Sequence, residues 1–199
     1  MTETQPAPAV TRLAGGAELP APGRWQIDPG HTEVAFIGRH FMLTKVRGRF
    51  TGVAGAIDVA REPGESTAEV TIDMASVDSG SQARDDHLRS ADFFDAARHP
   101  TATFAGRAAG WQGSRGLLTG ELTIRGITRP VTLQAEYLGH VADPWGGQRA
   151  IFTAAGTLNR EDWGLTWNMP LDNGSLLVSK EIRIEIEAEA VLQPASPPA

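Results

Sequence analysis

The 199-residue sequence contains no cysteine, which excludes disulfide bonds, thiol catalysis and cysteine-based metal sites. It also lacks any apolar run close to the ~18 residues of a membrane-spanning helix. Positive charge is scarce, since 18 Lys and Arg stand against 24 Asp and Glu and give a net charge of -6. Nucleic acids and anionic lipid surfaces are bound by basic surfaces, so the composition disfavours both as partners.

The two ends of the chain have little to bury. Residues 1–23 are rich in Ala, Pro and Gly, and they contain neither the basic region nor the apolar segment of a secretory signal. We therefore predict flexible tails at residues 1–23 and 193–199, with one folded domain over residues 24–192. Because the sequence starts with Met1 and shows no signal, the expected location is cytoplasmic.

Alternation of apolar and polar residues dominates the predicted domain. Near its end, Ile182, Ile184 and Ile186 alternate with charged residues, which places them on one face of a strand, whereas a helix would scatter them. Similar patterns predict strands near residues 34–40, 47–59, 67–74, 101–108, 117–124, 130–138 and 150–158. Turn signals such as those at 143–147 and 172–174 separate strands at short intervals. This spacing predicts an antiparallel sandwich or barrel.

The segment 81–104 interrupts the strand pattern. It has a helical composition, with Ser81 as a candidate N-cap, Asp85 near the positive end of the helix, and Ser90 as the start of a second short turn. Strand patterns stand on both sides of it. The sequence therefore predicts a mostly β protein with a short helical crossover near residues 81–97.

Metal binding has weak support in the sequence. Asp85, Asp86 and His87 have ligand side chains, but consecutive helical residues point about 100° apart and do not converge on one ion. His31 and His40 are separated by an odd number of positions, so on a continuous strand they face opposite sides. Helix capping and surface ion pairs explain the acidic residues better, and no metal site is predicted.

Catalytic motifs are missing as well. The sequence has no G-x-S-x-G elbow and no glycine-rich phosphate-binding motif. Trp163 and Trp167 either stack on a ligand or close one end of the barrel, and closure is the favoured interpretation. The many inward apolar residues leave two options, a solid core or a barrel that encloses a ligand. Eight-stranded barrels have room for one small ligand.

Four motifs, in order, resemble those of the YceI-like family, the lipocalin-like polyisoprenoid-binding proteins of bacteria. The first is WQIDPGHTEVAF at 25–36, followed by VRGRF at 46–50. The second is RDDHLRSADFF at 84–94, followed by HPTATF at 99–104. The third and fourth are LTIRGITRPVTL at 122–133 and NREDWG at 159–164. Each motif alone is modest, and their order makes the resemblance specific.

The resemblance implies an eight-stranded antiparallel lipocalin-like barrel with an apolar pocket for an isoprenoid chain. The expected function is non-enzymatic binding, carriage or storage of an isoprenoid lipid, either a polyprenyl lipid or an isoprenoid quinone, with no other cofactor. A homodimer is also implied, and many family members are periplasmic. Two alternatives stay open: an enzyme that acts on such a lipid or quinone with His40 as acid and base, and a solid-core, stress-linked interaction module.

Strand parity and the motifs together give the expected ligand-binding residues. At the cavity mouth, we expect the lipid head group to contact His40, Arg84 and Asp85. Along the tunnel, we expect the chain to contact the apolar side chains of Phe36, Phe50, Ile72, Phe93, Phe94, Phe104 and Ile184.

Overall fold

A computed structural model describes residues 10–144, 146–170 and 176–194. These ranges contain thirteen strands and the helix α1 (Gln82–Arg89). The strands are β1 (Thr11–Ala14), β2 (Ala17–Pro20), β3 (Gly23–Ile27), β4 (Glu33–His40), β5 (Thr44–Phe50), β6 (Val53–Val59), β7 (Thr67–Asp73), β8 (Val77–Asp78), β9 (Thr101–Gln112), β10 (Arg115–Ile124), β11 (Ile127–Ala142), β12 (Gln148–Asn159) and β13 (Glu181–Leu192). No helix in these ranges is long and apolar enough to cross a membrane.

Strands β3 to β13 form one antiparallel sheet, which the pairing of β12 with β13 closes into an eight-stranded barrel. Three barrel strands are bent and interrupted. β13 pairs with β4 through residues 183–187 and with β3 through residues 190–192, so β3 and β4 act as two halves of one barrel strand. In the same way, β5 and β6 are two halves of the next barrel strand, and β7 and β8 are two halves of the one after it. β5 is hydrogen-bonded to β8, and β6 to β7. The predicted fold class is confirmed.

The strand predicted over 47–59 is divided in the structure. β5 ends at Phe50 and β6 begins at Val53. Before this break the chain pairs with β4 and β8, and after it the chain pairs with β3 and β7. A bend between two sets of partners leaves little trace in a pattern of alternating residues, which is why the sequence predicted one strand.

The helical crossover is shorter than predicted. α1 ends at Arg89, and turns fill most of residues 90–98. Ser81 occupies the predicted N-cap position with an extended backbone, but its side chain makes no capping hydrogen bond. Asp85 is 6% exposed, and its carboxylate accepts a hydrogen bond from the backbone N–H of Ser79 at 2.8 Å. Ser90 closes the helix, because its hydroxyl donates to the carbonyl of His87 at 2.7 Å.

The N-terminal prediction needs a correction at residues 10–23. β1 and β2 form a hairpin in which Thr11 pairs with Pro20, and Leu19 is only 3% exposed. The Arg12 guanidinium fastens this hairpin to the barrel by donating to the carbonyls of Ala60, at 2.7 Å, and Arg61. The predicted tails at 1–9 and 195–199, and the predicted turn at 172–174, lie outside the described residues.

Two clusters of buried side chains fill the interior of the barrel. The larger one runs through the barrel to Phe94 and Trp163, beside α1 and the turn that follows β12. The other includes Leu19, Trp25 and Tyr137, beside the β1–β2 hairpin. We call the barrel end beside α1 the helix end and the one beside the β1–β2 hairpin the hairpin end.

Candidate ligand-binding cavity

A cavity of about 220 Å³ lies inside the barrel. One water molecule needs about 10–15 Å³ of such space, so this is far larger than a packing defect. It is bordered by Leu19 at the hairpin end and by Phe94 at the helix end, and nearly all of its lining is apolar. A site of this kind can bury a long hydrocarbon and offers few groups for chemistry on it.

Strand periodicity positions the lining. On β7, Ala68, Val70 and Ile72 line the cavity, while the intervening Glu69 and Thr71 are exposed. The same alternation places Ile184, Ile186 and Ala188 of β13 on the inner face. Because successive side chains of a strand point to opposite faces, the local pattern determines which residues can meet a ligand.

Glycines make room for aromatic rings on the inner face. A Cβ at Gly106 would lie 2.4 Å from the ring of Phe104, and a Cβ at Gly48 would lie 2.3 Å from the ring of Phe36. Both distances are shorter than any van der Waals contact. A side chain at either position would therefore displace the ring beside it. Because Phe104 lines the cavity, a side chain at position 106 would also change the shape of the cavity.

Half of the predicted ligand-binding residues line the cavity. Those that do are Phe50, Ile72, Phe94, Phe104 and Ile184. Phe36 does not, because it packs behind the lining, with ring centroids 5.5 Å from Phe50 and 6.5 Å from Phe94.

The predicted head-group residues are not brought together at the cavity. His40 lies at the end of β4 with its ring 4.0 Å from that of Phe41. Arg84 is exposed and donates to both the hydroxyl and the carbonyl of Ser79 at 2.7 Å, while Asp85 accepts from the same residue. The two charged side chains therefore hold the connection between β8 and α1.

Phe93 also lies outside the cavity lining. Its ring packs 5.0 Å from that of His87 and 5.3 Å from that of Trp167. The buried guanidinium of Arg160 lies 5.9 Å from the ring centroid of Phe93. Burial lowers the pKa of Arg160, which nevertheless stays charged because an arginine titrates far above neutral pH. This group closes the helix end rather than forming part of the pocket.

The hairpin end holds polar groups that the sequence did not reveal as site candidates. Arg12 and Trp111 line the cavity, and Tyr137 packs in the same cluster as Trp111. Burial, together with the negative charge of Glu18, raises the pKa of Tyr137 to about 12. The sequence places Arg12 in a predicted tail and Trp111 beyond the end of the strand predicted at 101–108. Of the three residues, only Tyr137 has a signal in the sequence, which is its inward position on a predicted strand.

An acidic group outside the cavity has the composition of a metal site. One ligand atom from each of Asp28, His31 and Glu189 lies within 4.8 Å of the others. However, the Arg149 guanidinium donates to Asp28, to Asp143 at 3.1 Å and to Glu189 at 3.3 Å. This guanidinium supplies the positive charge that the carboxylates need. We interpret the group as an ion-pair network that ties β13 to the loops beside it.

The Asp28 network predicts a pH-dependent stability. The hydrogen bond from Arg149 lowers the pKa of Asp28 from 3.8 to about 2. A carboxyl group with a lowered pKa stabilises the fold above its unfolded pKa and loses that contribution as the pH falls through its folded pKa. We expect Asp28→Asn to lose roughly 2 kcal/mol of unfolding free energy at pH 7. The difference from the wild type should shrink between pH 4 and pH 2 in urea denaturation.

The matched control is Asp58→Asn. Asp58 forms an exposed ion pair with Arg24 at 2.7 Å, and such pairs contribute about 0–1 kcal/mol. A difference between Asp28→Asn and the wild type that is the same at pH 7 and at pH 2 would contradict the assignment.

Comparison with known proteins places this geometry in a family. Residues 25–190 match the model of the YceI-like domain. Protein YceI of Escherichia coli O157:H7 is 35% identical over 182 residues, which cover 91% of this chain and 92% of that protein.

Two solved structures have the same fold. The YCEI protein of Campylobacter jejuni superimposes with a TM-score of 0.67 at 30% identity, over 78% of this chain and 90% of that one. A polyisoprenoid binding domain from Saccharophagus degradans, implicated in plant cell wall breakdown, gives 0.62 at 17% identity, over 85% of this chain and 98% of that one. The order of motifs, the closed barrel and these matches agree, and the chain belongs to the YceI-like domain family.

Proposed function

We propose that the protein binds, carries or stores an isoprenoid-type lipid, such as a polyprenyl lipid or an isoprenoid quinone, without catalysing a reaction on it. The observation that carries this proposal is the apolar cavity that extends from Leu19 to Phe94 inside the barrel. The structural likeness to a polyisoprenoid binding domain supports the same ligand class.

The hydrophobic effect is sufficient for such binding. Burial contributes about 0.8 kcal/mol for each CH₂ group, so each five-carbon isoprene unit contributes roughly 3–4 kcal/mol. A few buried units therefore offset the several kcal/mol that association costs in lost freedom of motion. No reactive side chain is required for this function.

The catalytic alternative has less support from the geometry. It requires His40 and a carboxylate beside the lipid head group, but His40 lies outside the cavity lining and Asp85 binds Ser79. The solid-core alternative requires a filled interior, and the cavity argues against it. Binding without turnover is the function that fits these side chains.

The direct test is organic extraction of the purified protein followed by mass spectrometry, combined with titration of the delipidated protein with a prenyl quinone. We expect an isoprenoid lipid in the extract and saturable uptake of the quinone. An unrelated protein purified in parallel controls for lipid carried through the preparation. A lipid-free extract together with no quinone uptake would refute the proposal.

A further inference from the structure

Three hydrogen-bond donors at the hairpin end are buried and have no acceptor among the described residues. They are the phenol Oη of Tyr137, the indole Nε1 of Trp111 and the guanidinium Nε of Arg12. Leaving one such donor unpaired costs about 1–3 kcal/mol, and folded proteins contain few of them. A fourth such donor, Arg160 Nη2, lies at the helix end, and Arg160 does not line the cavity. Three of the four unpaired donors are therefore grouped at the hairpin end, where a bound acceptor can pair with them.

These donors lie at one end of the cavity. Arg12 and Trp111 line it directly. Tyr137 is not itself a lining residue, but it is 4% exposed and packs in a cluster with Leu19 and Trp111. Its ring lies 5.4 Å from that of Phe152, which does line the cavity. In contrast, the lining at the helix end consists of apolar side chains, among them Phe50, Ile72 and Phe94.

We propose that the hairpin end is the head-group subsite, where Trp111, Tyr137 and Arg12 donate hydrogen bonds to an uncharged oxygen acceptor such as a quinone carbonyl. The isoprenoid chain then extends toward Phe94. This orientation is opposite to the one expected from the sequence, in which His40 and Arg84 contact the head group. The proposal rests on the lipid-binding function proposed above.

The charges at the hairpin end favour an uncharged head group over a phosphate or carboxylate. The indole and phenol groups are neutral donors, and the high pKa of Tyr137 keeps its hydroxyl protonated at physiological pH. Glu18 places a negative charge near this phenol, which would repel an anion. The two terminal nitrogens of Arg12 already donate to the carbonyls of Ala60 and Arg61.

The test compares two ligands on the full-length protein. Ubiquinone-2 carries carbonyl oxygens, and squalene is an isoprenoid without oxygen. Their affinities are measured by displacement of a fluorescent apolar probe. We expect Tyr137→Phe, which removes only a hydroxyl, to weaken ubiquinone-2 binding roughly two- to tenfold and to leave squalene binding unchanged. Because Trp111→Phe also removes apolar lining, we expect it to weaken ubiquinone-2 binding more than squalene binding. Trp167→Phe is the matched control, because Trp167 packs on Phe93 outside the cavity lining.

The outcomes separate this proposal from the one on which it rests. If the wild type binds neither ligand, both proposals fail. If it binds both, but the two variants weaken neither ligand or weaken both equally, the head-group subsite is refuted while lipid binding stands. Geranylgeranyl diphosphate extends the test, since tighter binding of this anion than of ubiquinone-2, lost in the same variants, would refute the preference for an uncharged head group.

Discussion

Ala68→Trp is expected to weaken the binding of a long isoprenoid lipid on the order of a hundredfold. Ala68 is 6% exposed and lines the cavity from β7, so a larger side chain there enters the space that the lipid needs. Displacing one isoprene unit removes roughly 3–4 kcal/mol of burial, which corresponds to a loss of this size. Titration with a prenyl quinone measures the effect.

The matched control for this substitution is Glu69→Trp. Glu69 is the next residue on β7 and is exposed, so the same side chain enters solvent instead of the cavity. We expect this variant to bind the quinone like the wild type. Circular dichroism verifies that Ala68→Trp is still folded. Unchanged binding by a folded Ala68→Trp would show that the lipid does not occupy the barrel interior.

Phe94→Asp is expected to reduce lipid uptake more than Asp86→Ala does and to lower the unfolding free energy by roughly 3–5 kcal/mol. Phe94 is 9% exposed and lines the cavity, with its ring centroid 5.4 Å from that of Phe50. The substitution removes this packing and introduces a carboxylate into apolar surroundings. The Asp86 side chain is 63% exposed, and its partners among the described residues are its helical neighbours Gln82 and Arg89.

A second variant at position 94 separates binding from folding. Phe94→Leu keeps an apolar side chain, so we expect it to unfold at a denaturant concentration much closer to that of the wild type than Phe94→Asp does. Quinone titration of all three variants then decides the role of the segment. Equal losses of quinone binding in Phe94→Asp and Asp86→Ala, or a larger loss in Asp86→Ala, would mean that the segment 81–104 covers the barrel end without contacting the lipid.

Strand parity predicted much of the cavity lining correctly. Ile72, Phe104 and Ile184 stand at inward positions of alternating patterns, and all three line the cavity. This succeeded because the two-residue period of a strand is a local property. Parity did not indicate how far the cavity extends, and therefore Phe36 and His40 were included although neither lines it.

The hairpin at the N-terminus shows where local reasoning fails. Leu19 lies among Ala, Pro and Gly residues, and a four-residue strand such as β2 is too short for a clear period. Its burial depends on the surface that Trp25 and Tyr137 present at the end of the closed barrel. That surface is assembled from residues far apart in the chain, so the sequence near Leu19 contains no sign of it.

By itself, the sequence determined the fold class, the family resemblance and which face of each strand is apolar, because these depend on local period and on motif order. Only the tertiary structure decided that three of the buried unpaired donors, on Arg12, Trp111 and Tyr137, lie together at the hairpin end. Arg84 and Asp85 are drawn to the nearby backbone of Ser79, whereas Trp111 and Tyr137 are brought together beneath the hairpin by strand pairing and barrel closure. The sequence does not show whether a polar side chain bonds to a near neighbour or faces the interior of a closed barrel. Only the folded chain distinguishes the two cases.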